Sequence, residues 1–149
     1  MTRFFLTAAV ALAPALPALA QDGTTLQVAE SEAFGSYLTN GEGAPLYAFT
    51  ADTQGTADAA PVISCNPDCL QAWPLVTGDA PEAGEGVDAS MIGTMDHEGQ
   101  SVVTYNGWPL YTFTQDQGSD TPQGQDIESF GGEWYLVGPD GTIVEEHDA

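Results

Sequence analysis

Cys65 and Cys69 stand four residues apart in Cys65-Asn66-Pro67-Asp68-Cys69-Leu70-Gln71-Ala72-Trp73-Pro74. In an oxidising compartment such a pair closes as a disulfide, and two Cα atoms one helical turn apart fall within the required separation of about 4.4–6.8 Å. So short a loop adds only about 2 kcal/mol in the chain-entropy model. Left as thiols, the same pair is a candidate redox site. A helix N-terminus favours the thiolate, but no Lys, Arg or neighbouring His assists it. Joined by Met91, Met95 and His97, the two sulfurs become a soft ligand set suited to Cu(I). Met is, however, a common filler of irregular cores, and His97 reads as part of an exposed turn at Asp96-His97-Glu98-Gly99. We therefore expect a structural disulfide, no metal and no cofactor.

The second set of candidate residues is written twice. Gly43-Ala-Pro-Leu-Tyr47-Ala-Phe49-Thr-Ala-Asp52 returns as Gly107-Trp-Pro-Leu-Tyr111-Thr-Phe113-Thr-Gln-Asp116, seven of ten positions identical at an offset of 64. In a strand, Tyr47 and Phe49 share one face, as do Tyr111 and Phe113. Asp52 and Asp116 take the opposite parity unless the chain turns after the Thr. Gly-containing turn sequences follow both, where an Asp commonly accepts backbone amides and closes its own loop. The structural reading is an aromatic core with a loop-capping Asp. The functional one is an aromatic cleft rimmed by a carboxylate, binding a cation or a sugar. Asp58 and Asp120 add oxygens to these loops, but the spacing does not match a twelve-residue Ca²⁺ loop with its terminal Glu. His147 lies in a polar tail and is expected to be solvated.

No other constellation carries chemistry. There is no Ser in a nucleophile elbow and no phosphate-cradling glycine loop with Lys, and carboxylates are too plentiful to single out a pair. We expect no enzyme.

The elements that must position these residues come from an exported chain. Arg3, an apolar run from Phe4 to Leu16 and Ala18-Leu19-Ala20 read as a secretory signal peptide cut after Ala20, its apolar core too short to span a bilayer. No later run is apolar enough to cross a membrane. Removing residues 1–20 from 149 leaves 129, enough for one domain with a moderate core. Arg3 is the only Lys or Arg, and all 22 acidic residues follow it, so the net charge moves from −21 to about −22 on cleavage. The mature protein can form no Lys or Arg salt bridge. Its field repels nucleic acid and anionic membranes and favours a cation or a basic protein partner.

Thr24–Ala29 and Phe34–Thr39 alternate as strands, Asn40–Gly43 turns, and the motif strand follows. A small-residue loop then leads to a helix of at most two turns, capped by Asn66 with Pro67 in its first turn and stopped at Pro74. Trp73–Val76 is expected to enter a strand, and residues 77–90, rich in Gly, Pro and acids, to link the halves. Tyr105-Asn106-Gly107-Trp108 is a strong two-residue hairpin signal. Trp134-Tyr-Leu-Val echoes Trp73-Pro-Leu-Val at an offset of 61, the second loop being three residues shorter. We expect a mainly β fold: two tandem pseudo-symmetric hairpin repeats, about 34–76 and 98–138, in one domain over 21–149, with one short helix near Cys65–Trp73.

Tyr47-Ala48-Phe49-Thr50-Ala51-Asp52, its copy Tyr111–Asp116, and the Cys65–Pro74 run ending in Trp-Pro resemble the bacterial secreted-repeat family of predicted lipoproteins with the Tyr-x-aromatic-x-x-Asp motif, a family of unknown function. The resemblance spans roughly residues 34–140. It implies export and a repeat fold, and it carries no settled activity. The chain departs from the family in having Gln21, not a lipobox Cys, at the cut, so lipid anchoring does not carry over. The expected function is a non-catalytic binding or interaction module, secreted or periplasmic. The alternative is a periplasmic thiol-redox or copper-handling accessory acting through Cys65 and Cys69.

Overall fold

The computed structural model describes residues 24–116 and 121–145. The expected signal peptide, Asp120 and His147 lie outside them. The described chain is mainly β, with one α-helix and two short 3₁₀ turns. Three small sheets contain β1 (Thr25–Ser31), β2 (Gly35–Thr39) and β4 (Glu82–Ala83); β3 (Tyr47–Phe49), β8 (Ile127–Ser129) and β9 (Gly132–Leu136); and β5 (Ile92–His97), β6 (Gln100–Tyr105) and β7 (Trp108–Pro109). Their orders are β2-β1-β4, β3-β9-β8 and β5-β6-β7.

The sheets meet at the two motif segments. The Tyr47 N–H donates to the Tyr111 carbonyl at 2.8 Å and the Tyr111 N–H returns the bond at 3.0 Å, an antiparallel bridge between the two copies. Around it the two-residue period of extended chain sends alternate side chains to opposite sides. Leu46, Ala48 and Leu110 enter one apolar cluster with Leu26, Leu38 and Val103. Tyr47, Phe49 and Tyr111 enter another with Trp73, Trp134 and the two cysteines. β3 is buried on both faces, which is why its sequence is apolar throughout.

The helix α1 (Pro67–Ala72) forms as its capping residues dictate: Asn66 is extended, its side chain accepts the Cys69 N–H, and Pro67 opens the first turn. The strand expected at Trp73–Val76 does not form. Pro74 lacks the N–H a ladder needs, and the segment contributes only isolated pairings, Leu75 with Tyr111 and Thr77 with Val102. Nor is 77–90 a free hinge. Gly78 donates to the Ser101 carbonyl, and β4 pairs in parallel with β1 at Thr25 and Leu26.

Three two-residue turns close hairpins with positive φ at both central positions, as the primed turn requires: Glu98-Gly99, Asn106-Gly107 and Phe130-Gly131. His97, read from the sequence as a turn residue, ends β5 instead, paired with Gln100. Gly107 has a second reason to be glycine. The Gly55 N–H donates to its carbonyl at 2.8 Å, and a Cβ on Gly107 would sit 2.0 Å from the Gly55 oxygen. A Cβ on Gly99, equally left-handed at φ 84°, would meet open space. Gly99→Ala should therefore cost only the conformational penalty of about 1–2 kcal/mol, whereas Gly107→Ala must also break the contact with the 55 loop and should cost roughly 3 kcal/mol or more. Urea denaturation of the two variants beside the parent measures the difference, and equal losses would contradict it.

Candidate functional site

Both motif aspartates turn inward, by the same local device. The Asp52 N–H donates to the Phe49 carbonyl and the Asp116 N–H to the Phe113 carbonyl, each at 3.0 Å. These tight turns reverse the chain directly after the aromatic strand and bring each carboxylate under it, which overrides strand parity. One oxygen of each then caps its own loop, as the turn sequences suggest: Asp52 Oδ1 accepts the Ser64 N–H at 2.7 Å, and Asp116 Oδ1 the Gln123 N–H at 2.6 Å. The other oxygen crosses to the opposite copy. The Tyr111 hydroxyl donates to Asp52 Oδ2 at 2.6 Å and the Tyr47 hydroxyl to Asp116 Oδ2 at 2.7 Å. The Gly124 N–H donates to the Tyr47 hydroxyl at 3.1 Å.

This exchange is what the reading of the sequence missed, although a signal for it exists. A buried carboxylate needs donors, and in a chain whose one cation is Arg3 the remaining strong donors are amides and hydroxyls. Tyr and Asp recur five residues apart in both copies, so a reciprocal bond was available to each.

The tyrosines also seat the aromatic core. Phe49, Trp134, Trp73 and Phe113 form one continuous stack, with centroid separations of 4.2, 3.9 and 3.9 Å and ring planes within 15° of each other at every step. Tyr47 meets Trp73 edge-on at 5.3 Å and Tyr111 meets Trp134 edge-on at 4.9 Å. Each copy thus supplies one Phe, one Trp and one Tyr; the Phe–Trp stack and the Tyr–Trp edge contact each appear twice, and the Trp73–Trp134 stack joins them. Trp134 Nε1 is buried without a hydrogen-bond partner, so stacking rather than its N–H fixes that ring.

Burial sets the electrostatics. Asp52 and Asp116 are 6 % and 8 % exposed. Burial pushes the Asp52 carboxyl up to about 6, against the opposing pull of the Ser64 N–H, the Tyr111 hydroxyl and the His97 charge. Burial first, and the neighbouring carboxylate second, hold the Tyr47 and Tyr111 hydroxyls well above their ordinary value. Neither tyrosine is poised to give up its proton. Asp52 and Asp116 have each oxygen occupied by a protein donor, and both tyrosines lie wholly within the core. The arrangement is a pair of crossed clasps, not an aromatic cleft with a carboxylate at its rim.

The other candidate residues do not converge. Cys65 and Cys69 form a disulfide with Cα atoms 5.3 Å apart, and both are buried, at 5 % and 0 % exposed. Closed as a disulfide, the two sulfurs are not thiolates in this structure. Met91 lies in the 3₁₀ turn before β5 and packs on the first apolar cluster, while His97 ends the same strand, roughly 20 Å away at the spacing of extended chain. The soft ligand set is not assembled. Asp58 is exposed, whereas Asp52 is buried and occupied. Among the described residues no three His, Cys, Asp or Glu are grouped to hold a metal ion, and no helix is long and apolar enough to cross a membrane.

Residues 94–138 match the model of a family described as a secreted repeat of unknown function. The matched span runs from β5 to the end of β9 and holds Tyr111, Phe113, Asp116 and Trp134. The comparisons with curated proteins and with solved structures return no match.

Breaking one clasp leaves a buried carboxylate with an unmet acceptor. Tyr111→Phe and Tyr47→Phe should each lower stability by about 1–3 kcal/mol. The Asp52 carboxyl also gives stability a pH dependence of known sign. Between about pH 4 and 6 the folded state holds a proton there that the unfolded chain has released, so the stability Asp52 contributes is full below 4 and is lost as pH rises through 6. The loss is about 2 kcal/mol for a rise of this size, discounted for partial solvent screening. Asp52→Asn, neutral at every pH, should flatten that part of the curve; parallel curves for variant and parent across pH 4–6 would refute the assignment.

Proposed function

We propose that the protein is an exported, highly acidic, non-catalytic binding module. One observation carries the reading: the residues best suited to chemistry, the motif Tyr and Asp pairs, are buried and bonded to one another. They hold the fold together and leave recognition to the surface. That surface carries Asp and Glu with no Lys or Arg to offset them in the mature chain, which supports a basic protein or a cation as partner rather than nucleic acid or an anionic membrane. The secreted description of the matched family supports export, and we infer cleavage after Ala20 into the periplasm or beyond. The buried disulfide favours a structural role for Cys65 and Cys69 over the thiol-redox or copper-handling alternative.

Two measurements test this. The intact mass of protein recovered from the periplasm should correspond to a chain beginning at Gln21, with no added lipid. Cross-linking in living cells at low ionic strength should give a discrete adduct with another protein, lost when the exposed residues Glu30, Asp58 and Glu98 are changed together to Gln or Asn. A protein recovered solely as free monomer, or an adduct indifferent to those changes, would overturn the binding reading.

A further inference from the structure

β5 is an outer strand of its sheet, and among the described residues nothing pairs with its free edge along the middle of the strand. The pattern on β6 shows which groups face out. Val103 uses its N–H on the Val76 carbonyl and its carbonyl on the Leu110 N–H, and the Ser101 carbonyl accepts from Gly78. All of these point away from β5. Val103 and Ser101 lie opposite Thr94 and Asp96, so these are the non-hydrogen-bonded pairs of the ladder. The backbone N–H and carbonyl groups of Thr94 and Asp96 therefore face outward, with no partner among the described residues. Both residues are exposed.

Such an edge is a template for an added strand, and proteins usually blunt it with charge. Here the charge is all of one sign. Asp96 lies on the strand, Glu98 in the turn beyond it, and Asp79 lines both surface depressions that meet at Thr94, of about 280 and 330 Å³. A second copy would oppose Asp96 with its own carboxylates in a molecule of net charge about −22, so edge-to-edge self-pairing is repelled. A strand bearing Lys or Arg meets the same carboxylates as attraction.

We propose that the free edge of β5 takes up an extended, cationic segment of a partner protein by β-strand addition, main-chain bonds at Thr94 and Asp96 giving affinity and Asp79, Asp96 and Glu98 selecting positive side chains. This deepens the binding reading above and rests on it.

The probe is a dye-labelled hexapeptide of alternating Lys and Val, followed by fluorescence polarisation with the mature protein. It should bind. A peptide of the same charge, N-methylated at alternate amides, should bind at least tenfold more weakly because it cannot complete the ladder, and an alternating Glu and Val peptide should not bind. Thr94→Pro removes the outward N–H where an edge strand tolerates proline and should lose tenfold or more. Asp79→Asn with Asp96→Asn should lose severalfold and flatten the salt dependence. Equal binding of the methylated peptide would overturn the proposal in favour of undirected charge attraction, and this arm stands even if Thr94→Pro fails to fold. A dimer of the parent that Thr94→Pro dissolves would overturn it in favour of a second copy. Failure of the Lys-Val peptide beside a persistent cellular adduct would overturn the edge proposal while leaving the binding reading in place.

Discussion

The fold depends on satisfying two buried carboxylates where no described residue is a Lys or Arg. Leaving Asp52 or Asp116 unpaired in the interior would cost several kcal/mol. Each is met by a backbone amide of its own loop and by the tyrosine of the other copy. Two constraints are discharged together: the loops after the motif strands are pinned, and the two copies are held face to face. The antiparallel bridge at Tyr47 and Tyr111 and the four-ring stack are consistent with that one requirement, since each tyrosine must reach across the aromatic layer to find its acceptor.

The local rules carried much of this. Asn66 and Pro67 predict where α1 begins, Pro74 predicts where it must stop, and Asn106-Gly107 predicts a primed turn; each depends on neighbours in sequence. The inward-turned aspartates were half legible, because a turn residue after a strand suggests a loop cap. What could not be read was the exchange between copies, which depends on how two distant segments meet. Residues 77–90 mislead for a related reason. Gly, Pro and acidic composition describes chain that cannot form a long strand, yet two residues suffice to pair with β1, and a short edge pairing leaves almost no trace in sequence. His97 illustrates the limit of turn reading: a shift of one residue moves it from the turn to the strand.

Acidity and architecture divide the labour. Because the interior is closed by hydroxyls, amides, stacked rings and a buried disulfide, the carboxylates outside are not needed for ion pairs and can all carry the same sign. Stability and surface potential are thus decoupled, a condition most proteins do not meet, since they set acidic and basic side chains against each other. Salt should weaken the reach of that potential without loosening an internal ion pair.

The crossed wiring also bears on how such a chain could arise. A polypeptide holding a single copy has one motif aspartate and one motif tyrosine, and in this structure the two do not bond to each other: the acceptor belongs to the opposite copy. Such a chain would complete itself only by meeting another molecule like it, strand against strand. Fusion of two such units into one gene converts a concentration-dependent assembly into an intramolecular one. It also ties the two copies' histories together, since a change to the tyrosine in one is felt first by the aspartate in the other.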